Sequence, residues 1–152
     1  MHTNPNNREI RDLLQRSRTV AVVGLSDNPY RTSHVIAGAL QRFGFEVFPV
    51  NPNLKGRVLG EEPYSSLEDL TIAVDIVNVF RSSEKVMPVA EDAVAMGAKV
   101  LWMQSGVVNE EAAAYAEEHG LTVVMDRCIK VDYATLVGQA GSHAVPPRRE
   151  GE

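Results

Sequence analysis

Short apolar runs alternate with amphipathic stretches along most of the chain. Thr19 to Gly24 is a continuous, mostly β-branched run, too short for a helix and ended by glycine, the pattern of a strand buried on both faces of a parallel sheet. Val35, Ile36, Ala39, Leu40 and Phe43 then form one helical face closed by Gly44, and Glu46 to Val50 reads as a second strand broken at Asn51-Pro52. Residues 51–74 carry Gly56, Gly60 and Pro63 before SSLEDL, where Ser65 or Ser66 suits the cap of one short helical turn, so this crossover is mostly loop. Asp75 to Phe80 is a third strand, followed by a helical face of Val86, Val89, Ala90, Ala93 and Val94 with Pro88 near its first turn. Lys99 to Met103 is a fourth strand. Asn109 caps a helix whose first turn holds Glu110 and Glu111 and which ends at His119-Gly120, and Leu121 to Met125 is a fifth strand. Ahead of all this, Ile10, Leu13 and Leu14 place an amphipathic lead-in helix over 7–17.

Strands alternating with helices predict an α/β fold, a Rossmann-like doubly wound parallel sheet of five strands, expected in the order 3-2-1-4-5. The 152 residues suit one domain, assigned to 1–141, with the Pro- and charge-rich SHAVPPRREGE, residues 142–152, as a flexible tail. The polar start lacks a signal-peptide pattern and the apolar runs are strand-sized, so no membrane association and a cytoplasmic location are expected. A net charge of -5 argues against broad nucleic-acid binding. The lone Cys128 forms no intrachain disulfide and no multi-cysteine metal site. An anionic ligand must therefore be held by local positive charge.

In such sheets ligands lie beyond the carboxyl ends of the strands where strand order reverses, here beside strand one. The loop GLSDNPYRTSH, Gly24 to His34, runs straight into a helix start near Thr32 or Ser33, whose free N–H groups favour phosphate. It lacks the further glycines of a G-x-G-x-x-G dinucleotide loop. Ser26, Asn28 and Ser33 offer hydrogen-bonding side chains instead, Pro29 stiffens the turn, and Arg31 supplies a planar charge suited to phosphate oxygens. Ser26 and Asn28 equally suit shaping the turn, and His34 in a helix's first turn suits a structural donor better than an acid. At the end of strand two, where an acidic residue would hold a free ribose 2′-hydroxyl, the chain reads VNPNLKGR. Asn51 and Asn53 with Lys55 and Arg57 suit an adenosine carrying an extra phosphate, which disfavours NAD and leaves NADP or coenzyme A.

GLSDNPYRTSH, VNPNLKGRVLGEEPYSSLEDL, DIVNVFRSSE and VLWMQSGVVNEEAAAYAEEHGLTVVMDRCIKVD follow one another as in the small coenzyme A-binding proteins, and over Arg18 to Asp132 the chain resembles that family. The family looks like a free-standing counterpart of the N-terminal coenzyme A-binding domain of the succinyl-CoA synthetase alpha subunit. The resemblance implies that Gly24, Ser26, Arg31 and Ser33 hold the coenzyme A phosphates, that Val50, Asn51, Pro52 and Lys55 border the adenosine, and that Val79, Phe80 and Arg81 line the neighbouring wall. It places WMQSG, with Met103 and Gln104, close to the pantetheine arm, and Ser105 stands where the family usually has a larger apolar residue.

The synthetases need a further domain carrying a phosphohistidine, so the expectation is a binding module for coenzyme A or acyl-CoA and not an enzyme. His2, His34, His119 and His143 show no metal-ligand spacing and no triad, and neither catalytic nor metal-ligating residues are assigned. Cys128 follows strand five on the ligand's edge of the sheet, where it either packs semi-buried or meets the cofactor's thiol in a mixed disulfide, with Arg127 and Lys130 near it to favour the thiolate. Trp102, Met103 and Phe80 suit the core more than a ligand. The competing readings are an NADP-binding oxidoreductase-like module and a protein-interaction scaffold with a vestigial nucleotide site; a protein partner or a homo-oligomer is compatible with each.

Overall fold

A computed structural model describes residues 1–138. The five strands β1 (Thr19–Val23), β2 (Glu46–Val50), β3 (Ile76–Val79), β4 (Val100–Met103) and β5 (Thr122–Val124) form one parallel sheet. The helices are α1 (Asn7–Arg16), α2 (Thr32–Phe43), α3 (Val86–Met96), α4 (Glu110–Glu118) and α5 (Ile129–Asp132), the last running on as a π-helix over Tyr133–Val137. Leu67–Asp69 is the short helical turn expected in the second crossover. The expected tail at 142–152 and the end of the domain assigned to 1–141 lie outside the described residues.

The strand order is β2-β1-β3-β4-β5, which corrects the expected 3-2-1-4-5. Pro49 explains the difference. The Pro49 carbonyl accepts from Tyr64 N (2.9 Å) on the outer side of β2, while the next carbonyl, that of Val50, accepts from Gly24 N (2.8 Å) on the inner side. The proline nitrogen thus faces outward, where a further strand would find no donor, so β2 is an edge. A second lock selects β3 as the other neighbour of β1. The Asp75 Oδ2 accepts from the backbone of Arg18 (2.7 Å) and Thr19 (3.2 Å), and Asp75 N donates to Thr19 Oγ1 (2.8 Å).

The two faces of the sheet bury separate cores. On one, Val20, Val22, Ile76 and Trp102 pack with Ile10, Leu13 and Leu14 of α1, with Ile36, Ala37 and Leu40 of α2, and with Ile129, Tyr133 and Val137. On the other, Ala21, Val23, Val77, Val79 and Leu101 pack against Leu67, α3 and α4. The α1 face is as expected, and a capping box between Asn6 and Glu9 fixes its start. Burying each of its three aliphatic side chains contributes about 1.5–3 kcal/mol. Val35 departs from the expected α2 face: it is 44% exposed, while Ala37 and Gly38 are buried, because α2 is covered both by α5 and by the loop that carries Leu59. The helical segment 129–137 was not anticipated from sequence; it has no side-chain cap and ends at Gly138 with φ 62°.

Asp75→Ala removes the acceptor that pins the start of β1 to β3 and is expected to cost about 1.5–3 kcal/mol, the range for hydrogen bonds to a charged group. Urea unfolding of parent and variant measures it, and a change within about 0.5 kcal/mol, the scale of an ordinary surface substitution, would deny Asp75 that role.

Candidate functional site

The reversal of strand order lies between β1 and β3, and there the two chains approach unusually closely. Gly24 leaves β1 with φ 93°, and a Cβ built on it would lie 2.6 Å from the Phe80 carbonyl oxygen and 3.2 Å from Arg81 Cδ. Only glycine satisfies both the left-handed backbone and this contact. Gly24 N also donates to Val50 O, and Phe80 N to Val23 O (both 2.8 Å), so Gly24, Val50, Phe80 and Arg81 meet at one point of the rim.

The loop that follows is tied chiefly to itself. Ser26 N donates to Ser33 Oγ (3.0 Å), Asn28 N to Ser26 Oγ (3.0 Å), Tyr30 N to Asn28 Oδ1 (2.9 Å), and the His34 ring contacts Ser26 O (2.9 Å). Ser26 and Asn28 therefore shape the turn, His34 is structural, and Ser33 is 7% exposed with its oxygen turned inward. Asn51 joins this loop to the next, donating from Nδ2 to Leu25 O and accepting from Asn53 N (both 3.0 Å).

The start of α2 is left uncommitted. It has no side-chain cap and no acidic residue in its first turn, and its N-cap, Arg31, is exposed. Backbone N–H groups and the positive end of the helix dipole are thus presented beside a guanidinium, an arrangement suited to an anion. Lys55 is exposed nearby in sequence on the β2 loop. Arg57 is exposed, paired with Glu62 (2.9 Å) and donating to Gly60 O (3.3 Å).

On the other face of the rim, a cleft of about 370 Å³ opens between the ends of β1 and β2, the Leu67 turn and α3. Val23, Val50, Leu67 and Val89 give it an apolar floor, and Pro52, Ser65, Ser66, Arg81, Glu84, Lys85 and Asp92 surround it. Of the expected site residues, Val50, Pro52 and Arg81 line this cleft, together with serines and α3 residues that no sequence motif marks, since they lie on a 3₁₀ turn and a helix flank. Asp92 is held above the ordinary carboxylate range, chiefly by desolvation and then by repulsion from Glu91. A larger hollow of about 520 Å³ lies beside α1 and the start of β5, but Glu9, Asp12 and Glu117 against Arg16 make it a poor host for a polyanion.

Val79, Met103 and Trp102 are fully buried and belong to the two core clusters, Val79 and Met103 to the one beneath α3 and α4 and Trp102 to the other. The Trp102 indole donates to Arg127 O (2.8 Å), and Gln104 is buried, its Oε1 accepting from Ile129 N (3.3 Å). Cys128 is half-buried at the start of α5. The Arg127 guanidinium is engaged by Asp132 through two hydrogen bonds (2.7 and 2.9 Å), which also raises the Arg127 pKa, so its charge is not free to act on the thiol. Asn78, in the middle of β3, went unremarked in the sequence, although an amide inside the apolar run IVNV is itself a signal. Among the described residues no His, Cys, Asp and Glu group could hold a metal ion, and no helix is long and apolar enough to cross a membrane.

Comparison with known proteins places this geometry in context. Residues 18–134 match the family model described as a CoA binding domain. The chain is 50% identical over 131 residues, 86% of its length and 96% of the relative's, to the uncharacterized protein YneT of Bacillus subtilis (strain 168). A hypothetical protein from Pyrococcus horikoshii OT3 superposes with a TM-score of 0.84 at 34% identity, covering 91% of this chain and 99% of that one. The dinucleotide forming acetyl-coenzyme A synthetase 1 of Ca. Korarchaeum cryptofilum, solved in complex with phosphate and ADP, matches over 74% of this chain and 26% of its own at 25% identity and a TM-score of 0.64.

Two outcomes check the site. Gly24→Ala is expected to destabilise the fold by at least ~2 kcal/mol, since strain at a left-handed position adds to a clash with backbone; thermal unfolding without loss of stability would contradict the close approach. For Asp92 the folded pKa is raised, so the folded state holds its proton longer than the unfolded chain, and stability falls as pH rises from the ordinary value of 3.8 through the folded pKa. Asp92→Asn is therefore expected to be more stable than the parent at pH 7, with the difference vanishing by about pH 3; equal urea midpoints at both pH values would refute the assignment.

Proposed function

The chain belongs to the family of CoA-binding domains, and on that premise we propose that it binds coenzyme A or an acyl-CoA at the carboxyl rim of the sheet, without a catalytic centre of its own. The observation that carries this reading is the uncapped, acid-free start of α2 with Arg31 exposed beside it, next to a cleft with an apolar floor across the rim. In this reading the pyrophosphate lies on the α2 N–H groups and Arg31, adenine fills the cleft over Val50, Leu67 and Val89, and Lys55 with Arg81 faces the ribose phosphate. Gly24 lets the nucleotide pass over the rim, and Ser26, Ser33 and Asn51 hold the loops that frame it.

The pantetheine arm would then run across the ends of β3 and β4, toward Gln104 and the start of α5. Parallel strands are ~4.8 Å apart, so the exits of β1 and β5 are separated along the rim by roughly three strand spacings, while α5 packs back against α2. The reading of a binding module is supported by the hydrogen-bonding of His34, Asn51 and Asp75, each of which is engaged in holding the fold. The proposed setting is the cytoplasm, and the proposed partner is the small molecule itself, with neither nucleic acid nor membrane.

Calorimetric titration at fixed, moderate salt with coenzyme A, dephospho-coenzyme A, NADP and NAD tests the reading. Coenzyme A is expected to bind best, and both loss of its 3′-phosphate and Arg31→Ala are expected to weaken it about tenfold each, the scale of a charge-assisted contact to phosphate. Preference for NADP would turn the assignment to an oxidoreductase-like module, and no binding to any of the four would leave a protein-interaction scaffold.

The position of Cys128 gives a further outcome. In exchange with the disulfide dimer of coenzyme A, the Cys128 thiolate attacks one sulfur, forms the protein–coenzyme A mixed disulfide and expels the second coenzyme A as its thiolate, which then takes up a proton. Intact-mass measurement is expected to show one adduct on the native protein and none on Cys128→Ser; an unmodified native protein removes the thiol end of the arm from this place.

A further inference from the structure

Asn78 is wholly buried on the sheet face that carries α2 and α5. Its Nδ2 points toward β4, within reach of Trp102 O (3.4 Å) and Gln104 Oε1 (3.3 Å). Gln104 is itself oriented, because the same Oε1 accepts from Ile129 N. These contacts fix the Asn78 amide: turned over, it would set its oxygen against two other oxygens. Its Oδ1 is consequently turned away from these two oxygens, and it is the one buried side-chain polar atom among the described residues without a hydrogen-bond partner.

An apolar residue of similar size would fill this position without leaving an acceptor unpaired, and the neighbours along β3, Val77 and Val79, show what the strand otherwise uses. The unpaired oxygen therefore marks a place for a donor. A phosphate or carboxylate oxygen does not supply one, whereas an N–H does. Phe80, two residues on and hence on the same face, is half-buried between Asn78 and the rim, close to the exit of β1 at Gly24.

We propose that Asn78, positioned by Gln104, is a ligand-reading residue that accepts an amide N–H from the pantetheine arm once Phe80 turns aside. The arm carries secondary amides along its length, and a path along the rim from the exit of β1 to that of β5 crosses β3. The proposal rests on the coenzyme A reading above and adds to it the group that distinguishes the whole cofactor from its nucleotide.

The test compares coenzyme A with 3′-phosphoadenosine 5′-diphosphate, which is the same nucleotide without the arm. Asn78→Leu is expected to bind the nucleotide as the parent does and coenzyme A roughly five- to tenfold more weakly, the scale of one hydrogen bond lost, with Tm unchanged or raised because the unpaired acceptor is gone. Asn78→Val serves where leucine does not fit. In the parent, the Asn78 side-chain amide resonances are expected to shift with coenzyme A and not with the nucleotide alone. Equal weakening of both ligands, or weakening of neither, overturns the proposal; in the second case the acceptor belongs to a buried water. If the parent binds the nucleotide but gains nothing from the arm, this proposal fails alone, and if it binds neither ligand, the coenzyme A reading fails as well.

Discussion

The contact between the exit of β1 and the end of β3 governs the rest of the molecule. Because Gly24 lies against the Phe80 carbonyl, the two strands emerge side by side, and the loops after β1, β2 and β3 open onto the same stretch of rim. Asp75 locks the same pair at the opposite end. With both ends fixed, β2 is left as the edge that Pro49 demands, and α2 and α3 are forced to opposite faces. The crevice between them is therefore a product of strand pairing and not of any single loop.

The hydrogen bonds of the first loop divide its residues in two. Ser26, Asn28, Ser33 and His34 satisfy one another and the loop backbone, and in doing so hold the chain in a shape that glycines would otherwise allow but not enforce. Arg31 and the first N–H groups of α2 remain outward. Such a loop presents a preformed positive end at little conformational cost when an anion arrives. The long 51–74 segment works in the same manner: Asn51 pins it to Leu25, the Arg57–Glu62 pair closes its own turn, and Gln41 of α2 donates to Leu59 O and holds its far side.

Element identity was legible in the sequence where periodicity was strong. The continuous apolar strands, the Gly44 helix end with its left-handed backbone, and the Asn109 cap all correspond to local chemistry that needs no tertiary context. Strand order was not legible from periodicity alone, since it depends on which side of β2 the Pro49 nitrogen faces. The α5 segment was missed because its boundaries carry no cap, and Asn78 was missed because a single amide in a strand reads as an exception until its neighbours are known. Among the expected site residues, Gly24, Val50, Pro52 and Arg81 lie at the rim and Arg31 starts α2 beside it, whereas Val79 and Met103 are fully buried on the same face as Val50, where α3 and α4 cover them.

The rim's most informative property is that its two receptive features lie on opposite faces of the sheet. The apolar cleft belongs to the side of α3 and the uncapped helix end to the side of α2, with Gly24 between them. A compact ligand could use one feature or the other. An occupant that uses both must be long enough to cross the strand ends, apolar and planar at one end, anionic where it passes α2, and narrow where it passes Gly24. The side chain that glycine lacks at that point is what leaves room for the crossing, so the residue that makes the strand pairing possible also sets the shape of what the rim can hold.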